Sequence, residues 1–280
     1  MLSRVEALEY LKIPEKNFNN YVQLSGEIEC HKENNRLYFN KRDLRDWNKL
    51  KKDRTIKLSL NEYKKCFEFA IKMAYSGLSK HGIRGQRSEV QQADDVILGI
   101  LAEYAIKKFF KRKFDKKLKI DMDIHTGKIT AQDIVAVLAR NKWRKPRIGI
   151  GIKASKSKSC ALVLSEVEYE ENERKSHVYI FARVWLPSDH LFRILRNHSF
   201  FKKARKTLEQ WKKKYPEDTG RNTIDKLGPV SVWICGFAYH RGLERRKHIP
   251  GQEFDGFRYI KSVSELYNFD EDWERILNRL

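Results

Sequence analysis

The chain opens with apolar positions at helical spacing, interrupted by turn-forming residues. Ser3 is placed to cap a helix with Val5, Ala7, Leu8 and Leu11 along one side. Ile13-Pro14 breaks it, and Pro14 suits the first turn of a second helix carrying Phe18, Tyr21, Val22 and Leu24, which Gly26 ends. Residues 28–31 and 36–39 predict short strands around the polar tip Lys32-Glu33-Asn34-Asn35. A third helix is predicted from Lys41 through Leu44 and Trp47 to Leu50, and the charged stretch 51–57 reads as a linker.

Beyond it, Leu60, Tyr63, Phe67, Ala70, Ile71 and Ala74 share one helical face. The Gly-rich, basic stretch 77–92 predicts a loop, and an apolar helix then begins at Asp94 or Asp95 and runs to Phe114. Strands are predicted at 118–124, from Asp133 to Leu138, and at 147–155. The last two are expected to pair across the loop 139–147. A strand at 161–164, an exposed acidic turn at 166–175 and a strongly β segment at 177–185 follow. Residues 189–215 read as basic helix, 230–238 as a buried strand and 239–254 as a basic hairpin or loop. An edge strand at 257–260 and a closing helix at 270–280 complete the chain. Interleaved strands and helices place it in the α/β class.

Composition changes this picture in one respect. The 280 residues hold 58 Lys+Arg against 37 Asp+Glu, a formal net charge of +21. Such an excess favours a polyanion, nucleic acid first, through counterion release. No apolar run approaches the roughly 20 residues that cross a bilayer, and the N-terminus lacks a signal-peptide core, so a cytoplasmic protein without a membrane partner is expected. Cys30, Cys66, Cys160 and Cys235 are far apart with no CxxC pair, which predicts reduced core residues and not zinc ligands or disulfides. There is no phosphate-binding Gly-Lys-Ser/Thr loop to indicate a nucleotide-driven motor.

Helix, turn, helix, hairpin, helix over residues 1–52 resembles the excisionase-type winged helix-turn-helix. That resemblance implies a second helix in the major groove, with Lys16, Asn17, Asn19, Asn20 and Gln23 facing bases. It implies a wing of Lys32, Asn34, Asn35 and Arg36 on the backbone. A protein-docking helix pair with a merely solvated polar face is the alternative.

Residues 132–158, QDIVAVLARNKWRKPRIGIGIKASKSK, carry an aspartate at the head of one apolar segment and a lysine at the end of another. This resembles the PD-(D/E)xK nucleases, the fold of many restriction endonucleases. For residues 58–280 the resemblance implies a restriction-endonuclease-like mixed sheet flanked by helices, Mg²⁺ as cofactor and double-stranded DNA as partner. It implies metal ligation by Asp133 and the carbonyl of Ile152, and Lys153 orienting the attacking water. Gly99 and Glu103 match the GxxxE helix that precedes the catalytic strands in this superfamily. A glutamate on the exposed side supporting Lys107 is the alternative for Glu103.

One element departs from the pattern. The second acid falls on Gly151, which has no side chain. Three accounts follow in order: another carboxylate replaces it, Glu103 before Glu166; one carboxylate, a carbonyl and Gln132 hold a hydrated Mg²⁺; or the domain binds DNA without cutting it. An ordinary Asp133–Lys153 salt bridge competes with all three. Ser155, Lys156 and Lys158 are expected near phosphates of the cleaved strand, with Arg241, Arg245 and Arg246 as groove contacts. His81, Arg84 and Arg87 are either a phosphate clamp or solvated loop residues. The overall expectation is a site-specific DNA endonuclease of a restriction or defence system. Its alternatives are a homing-type enzyme and a non-catalytic DNA binder. A homodimer is expected because double-strand cleavage needs two sites.

Overall fold

The computed structural model of the chain describes residues 1–75, 88–123, 132–216 and 224–280. Its first part contains β1 (Leu2–Ser3), α1 (Arg4–Leu11), α2 (Glu15–Asn19), β2 (His31–Glu33), β3 (Arg36–Phe39) and α3 (Lys41–Asp53). Ser3 caps α1 through a capping box closed by Glu6. The turn between β2 and β3 is made by Asn34 and Asn35 at φ 48 and 60, the left-handed region that asparagine tolerates. β3 lies between β1 and β2. The second helix is not continuous: α2 gives way to a single π-helical stretch, Asn20–Leu24, which turns Tyr21 and Val22 into the interior.

The stretch expected to be a linker is structure. α3 continues to Asp53, and after Arg54 the chain enters β4 (Thr55–Leu58), a strand of the central sheet. That sheet has the order β4-β11-β10-β8, with β8 (Ile150–Lys156), β10 (Val178–Trp185) and β11 (Val230–Tyr239). β8 runs parallel to β10, while β11 is antiparallel to both β10 and β4, so the sheet is mixed. β10 is buried over almost its whole length, as a strand covered on both faces must be.

One face carries α4 (Leu60–Tyr75), α5 (Glu89–Phe114) and α9 (Asp270–Leu277), packed on Ile150, Ile152, Ile180, Val232 and Ile234. The opposite face meets the N-terminal helices: Tyr21 and Trp47 pack on Trp233, and Phe39 and Leu44 join the same cluster as Tyr179 and Phe181. Arg183 is fully buried there, 2.6 Å from Glu27, whose side chain is 5% exposed. Layers on both faces of a mixed sheet confirm the α/β class.

Two smaller sheets flank this body. β12 (Glu244–Ile249), β13 (Gln252–Ser262) and β9 (Ala161–Ser165) form one, in that order. β5 (Leu118–Ile120), β6 (Ile134–Ala139) and β7 (Lys142–Arg144) form the other. Short helices α6 (Glu166–Glu170) and α7 (His190–Leu195) and the basic α8 (Ser199–Lys214) complete the described residues.

Several expectations shift. α5 begins at Glu89, not at Asp94 or Asp95, because Ser88 and Gln91 close a capping box one turn earlier. Residues 257–260 are not an edge strand but part of β13, the middle strand of its sheet. The acidic segment expected as an exposed turn starts with a helix, α6. All four cysteines are free, with Cys66, Cys160 and Cys235 buried and Cys30 half-buried. Among the described residues no helix is long and apolar enough to cross a membrane.

Candidate active site

The Asp133 and Lys153 strands do not pair as a ladder. β6 bonds to β5 and β7, and β8 to β10. They meet at one residue instead. β8 is the last strand of the central sheet, and the Asp133 backbone N–H donates to the Ile150 carbonyl at 3.2 Å along its free edge. The Asp133 carboxylate then accepts the Ile152 N–H. In an extended strand the N–H and C=O of one residue point to the same side, so the Ile152 carbonyl also faces this edge. Asp133 is thus clamped across the strand that carries Lys153.

Glu103 approaches from α5, whose neighbours Leu101 and Ala102 are fully buried in the core. Its side chain is only 9% exposed and its Oε2 has no hydrogen-bond partner. Burial, then the nearby negative charges of Asp133 and Asp121, push the Glu103 carboxyl well above its ordinary range, with Lys153 pulling weakly the other way. Burial also raises Asp133, to about 6, against the opposing pull of Lys153 and the Ile152 N–H. Asp121 is brought to the same place because its backbone N–H donates to the Asp133 carbonyl at 3.1 Å.

The Lys153 ammonium is bound to an acid absent from the expected set. Glu168, on α6, places Oε1 2.6 Å from Lys153 Nζ. Burial alone would lower the lysine pKa and raise the glutamate's, yet the pairing of Lys153 with Glu168, joined by Asp133, leaves Lys153 raised and Glu168 lowered. Glu168 is held from its other oxygen: Oε2 accepts from the Ser165 N–H and hydroxyl, both at 3.0 Å, closing a capping box. The Ser-x-x-Glu spacing of that box was present in the sequence and signals a helix start, which would have separated α6 from a solvated turn.

Gly151 explains its own missing acid. A Cβ there would lie 3.0 Å from Ser176 Oγ and 3.0–3.1 Å from the Tyr179 ring. Likewise the space beside Gly149 belongs to Gln132 and His177. The two glycines thus admit side chains of this chain. Gly99 has nothing near its Cβ position, so the match to GxxxE rests on Glu103.

Among the described residues no group of three or more His, Cys, Asp or Glu side chains converges tightly enough to hold a metal ion. The donors nearest to such a role are the carboxylates of Glu103 and Asp133, with the Ile152 carbonyl beside them. They are hard oxygen donors suited to Mg²⁺, which retains several of its waters.

The expected DNA contacts divide. Lys16, Gln23, Asn34, Asn35, Arg36, Lys156, Lys158, Arg241, Arg245 and Arg246 are exposed, and Asn17, Asn19 and Ser155 half-buried. Asn20 is a correction: the π-helical stretch turns it inward, 7% exposed, and its amide donates to the Lys158 carbonyl at 3.2 Å. It joins the N-terminal helices to the body and cannot face bases. Asn19 accepts from Arg4 at 2.9 Å, Lys156 lies 3.3 Å from Asp94, and Arg246 is bound to Glu244. His81, Arg84 and Arg87 lie outside the described residues. Glu166, the weaker substitute for the missing acid, is turned away from Lys153 and bound to Arg245 at 2.6 Å.

No family model, curated protein or solved structure matches the chain.

Proposed function

We propose that the chain is a Mg²⁺-dependent DNA endonuclease with a restriction-endonuclease-like body and an N-terminal winged helix-turn-helix. One observation carries this reading. In a protein of net charge +21, Glu103 and Asp133 lie buried near one another at the edge of β8, the Glu103 Oε2 without a hydrogen-bond partner, and both carboxyls are driven toward protonation. A buried, unpartnered carboxylate oxygen is costly unless something binds it. A divalent cation between Glu103 and Asp133 would remove that cost.

In this reading Glu103, Asp133 and the Ile152 carbonyl hold Mg²⁺, which when bound polarises a phosphodiester and lowers the pKa of water. The chain's own residues do the rest. Lys153 presents an ammonium from the middle of β8, where it orients water and stabilises charge growing on phosphate. Glu168 fixes the direction of that ammonium. The exposed cations Lys156, Lys158, Arg241, Arg245 and Arg246 neutralise the duplex backbone, while Lys16, Asn17, Asn19 and Gln23 read bases.

The test is nicking of supercoiled plasmid with Mg²⁺, over substrates that include modified DNA. Expected is cleavage that chelation abolishes and that Asp133→Ala, Lys153→Ala or Glu103→Gln lowers by about a hundredfold or more while duplex affinity stays. One observation favours a second reading, DNA binding without cleavage: Lys153 is already neutralised by Glu168, and no acid stands at 151. Intact duplex binding with no nicking on any substrate would decide for that reading.

A further inference from the structure

α6 has two faces, and they touch different things. At 100° per residue, Glu166, Tyr169 and Glu170 share one side of this five-residue helix, and Glu168 points away from them. The Glu168 side holds Lys153. The other side is bound to β13 and to the start of β12, which project as a ribbon with Arg245, Arg246, Lys247 and His248 exposed. Arg245 donates to Glu166 Oε1 from Nε at 3.1 Å and Nη2 at 2.6 Å. The Tyr259 hydroxyl donates to Glu170 at 2.8 Å. The Tyr169 ring stacks on Tyr259 at 3.5 Å between centroids and on His240 at 4.0 Å, each within 10° of parallel.

α6 thus stands between a basic ribbon and the lysine of the candidate site, and is fastened to both. We propose that the β12–β13 ribbon is a duplex-contacting surface whose hold on α6 sets the position of Glu168, and through it the direction of the Lys153 ammonium. The proposal rests on the nuclease reading for its catalytic consequence, but not for the contact itself. Glu166, Tyr169 and Tyr259 are then positioning residues. They touch neither phosphate nor metal, and they act through Glu168. The ribbon's partner is double-helical DNA backbone: Arg245 and Lys247 lie over the same Phe257 ring, at 3.8 and 4.8 Å, so two cations are held in register on one exposed strand.

Two measurements on the full chain test this. The first is plasmid nicking by Glu166→Gln, Tyr169→Leu and Tyr169→Phe. Both cuts through the tie leave the ribbon cations, Glu168 and Lys153 in place. Expected are a fall of about tenfold or more in kcat with KM and duplex affinity within about twofold for Glu166→Gln and Tyr169→Leu, and near-complete rescue by Tyr169→Phe, which keeps the stacked ring. Unchanged kcat, or affinity falling in step with kcat, overturns the proposal. The second is backbone hydrogen exchange of the wild type with a duplex in Ca²⁺, which needs no cleavage. Exchange should slow at 244–249 and at 165–170 together. Protection of the ribbon without α6, or of neither, overturns the proposal even where the protein cuts nothing; joint protection without nicking upholds the contact and rejects the nuclease reading.

Discussion

At the scale of single residues, the acids near β8 carry the clearest consequences. The Asp133 carboxyl is raised from 3.8 to about 6, so between those values the folded chain holds a proton that the unfolded chain has released. Stability in the absence of divalent ions therefore falls as pH rises through that window, and this contribution is present in full only below it. Asp133→Asn removes the Asp133 part of the slope and leaves that of Glu103, and thermal melts of the two proteins at a series of pH values should converge at low pH and diverge toward pH 6, the variant the more stable. Equal separation at every pH would refute the assignment. Mg²⁺ or Ca²⁺ binding should weaken below about pH 6 for the same reason, since the ion competes with the proton. Gly151 gives a second prediction. The Tyr179 ring that would meet its Cβ is 1% exposed and has little room to yield. Gly151→Ala should cost about 1–3 kcal/mol in denaturant unfolding, and Gly151→Asp should lose folding before it supplies an acid.

At the scale of elements, most of the regular structure was legible because its periodicity is local. α4, β10, β11 and α9 follow from apolar spacing and turn residues alone. Residues 51–57 were not, since a short strand with one lysine and one threonine, T-I-K-L, preceded by a charged stretch, looks like linker until its partner β11 is known. Nor was the pairing of β6: its apolar pattern predicts a strand but not which neighbour it takes. The site was half legible. Asp133, Lys153 and Glu103 were legible as charges inside apolar runs, whereas Glu168 hid in an acidic stretch where every residue looked solvated. β11 adds a constraint that no periodicity reveals. Gly236 sits at φ 147, beside the irregularity where β10 and β11 change register, and a Cβ there would lie 2.6 Å from the Tyr267 backbone oxygen. Gly236→Ala should destabilise by about 3 kcal/mol or more, because backbone on both sides must move. A loss under about 1 kcal/mol would show that the Tyr267 segment is not bound there in solution.

At the scale of the whole molecule, the N-terminal helices and the sheet share one core. Tyr21 and Trp47 lie 5.8 and 6.0 Å from Trp233, and the Lys51 ammonium stands over the rings of Tyr21, Trp47, Trp185 and Trp233. Burial lowers that ammonium to about 8 from 10.5, with Arg183 adding and Glu27 opposing. Calorimetry should accordingly show one cooperative transition, not an early melt of residues 1–52 followed by a second. Two resolved transitions would mean that this shared core is weak. Glu27→Gln should bring the single midpoint down, because it leaves the Arg183 guanidinium uncompensated among aromatic rings.

Because the Arg183–Glu27 pair lies sealed between the helices and β10, and only Arg54 separates α3 from β4, the front of the molecule has no slack with which to swing. Any double helix gripped by the first fifty residues would meet the β8 rim at a single reach. The protein would behave as a fixed caliper, its distance from grip to rim independent of the DNA between them.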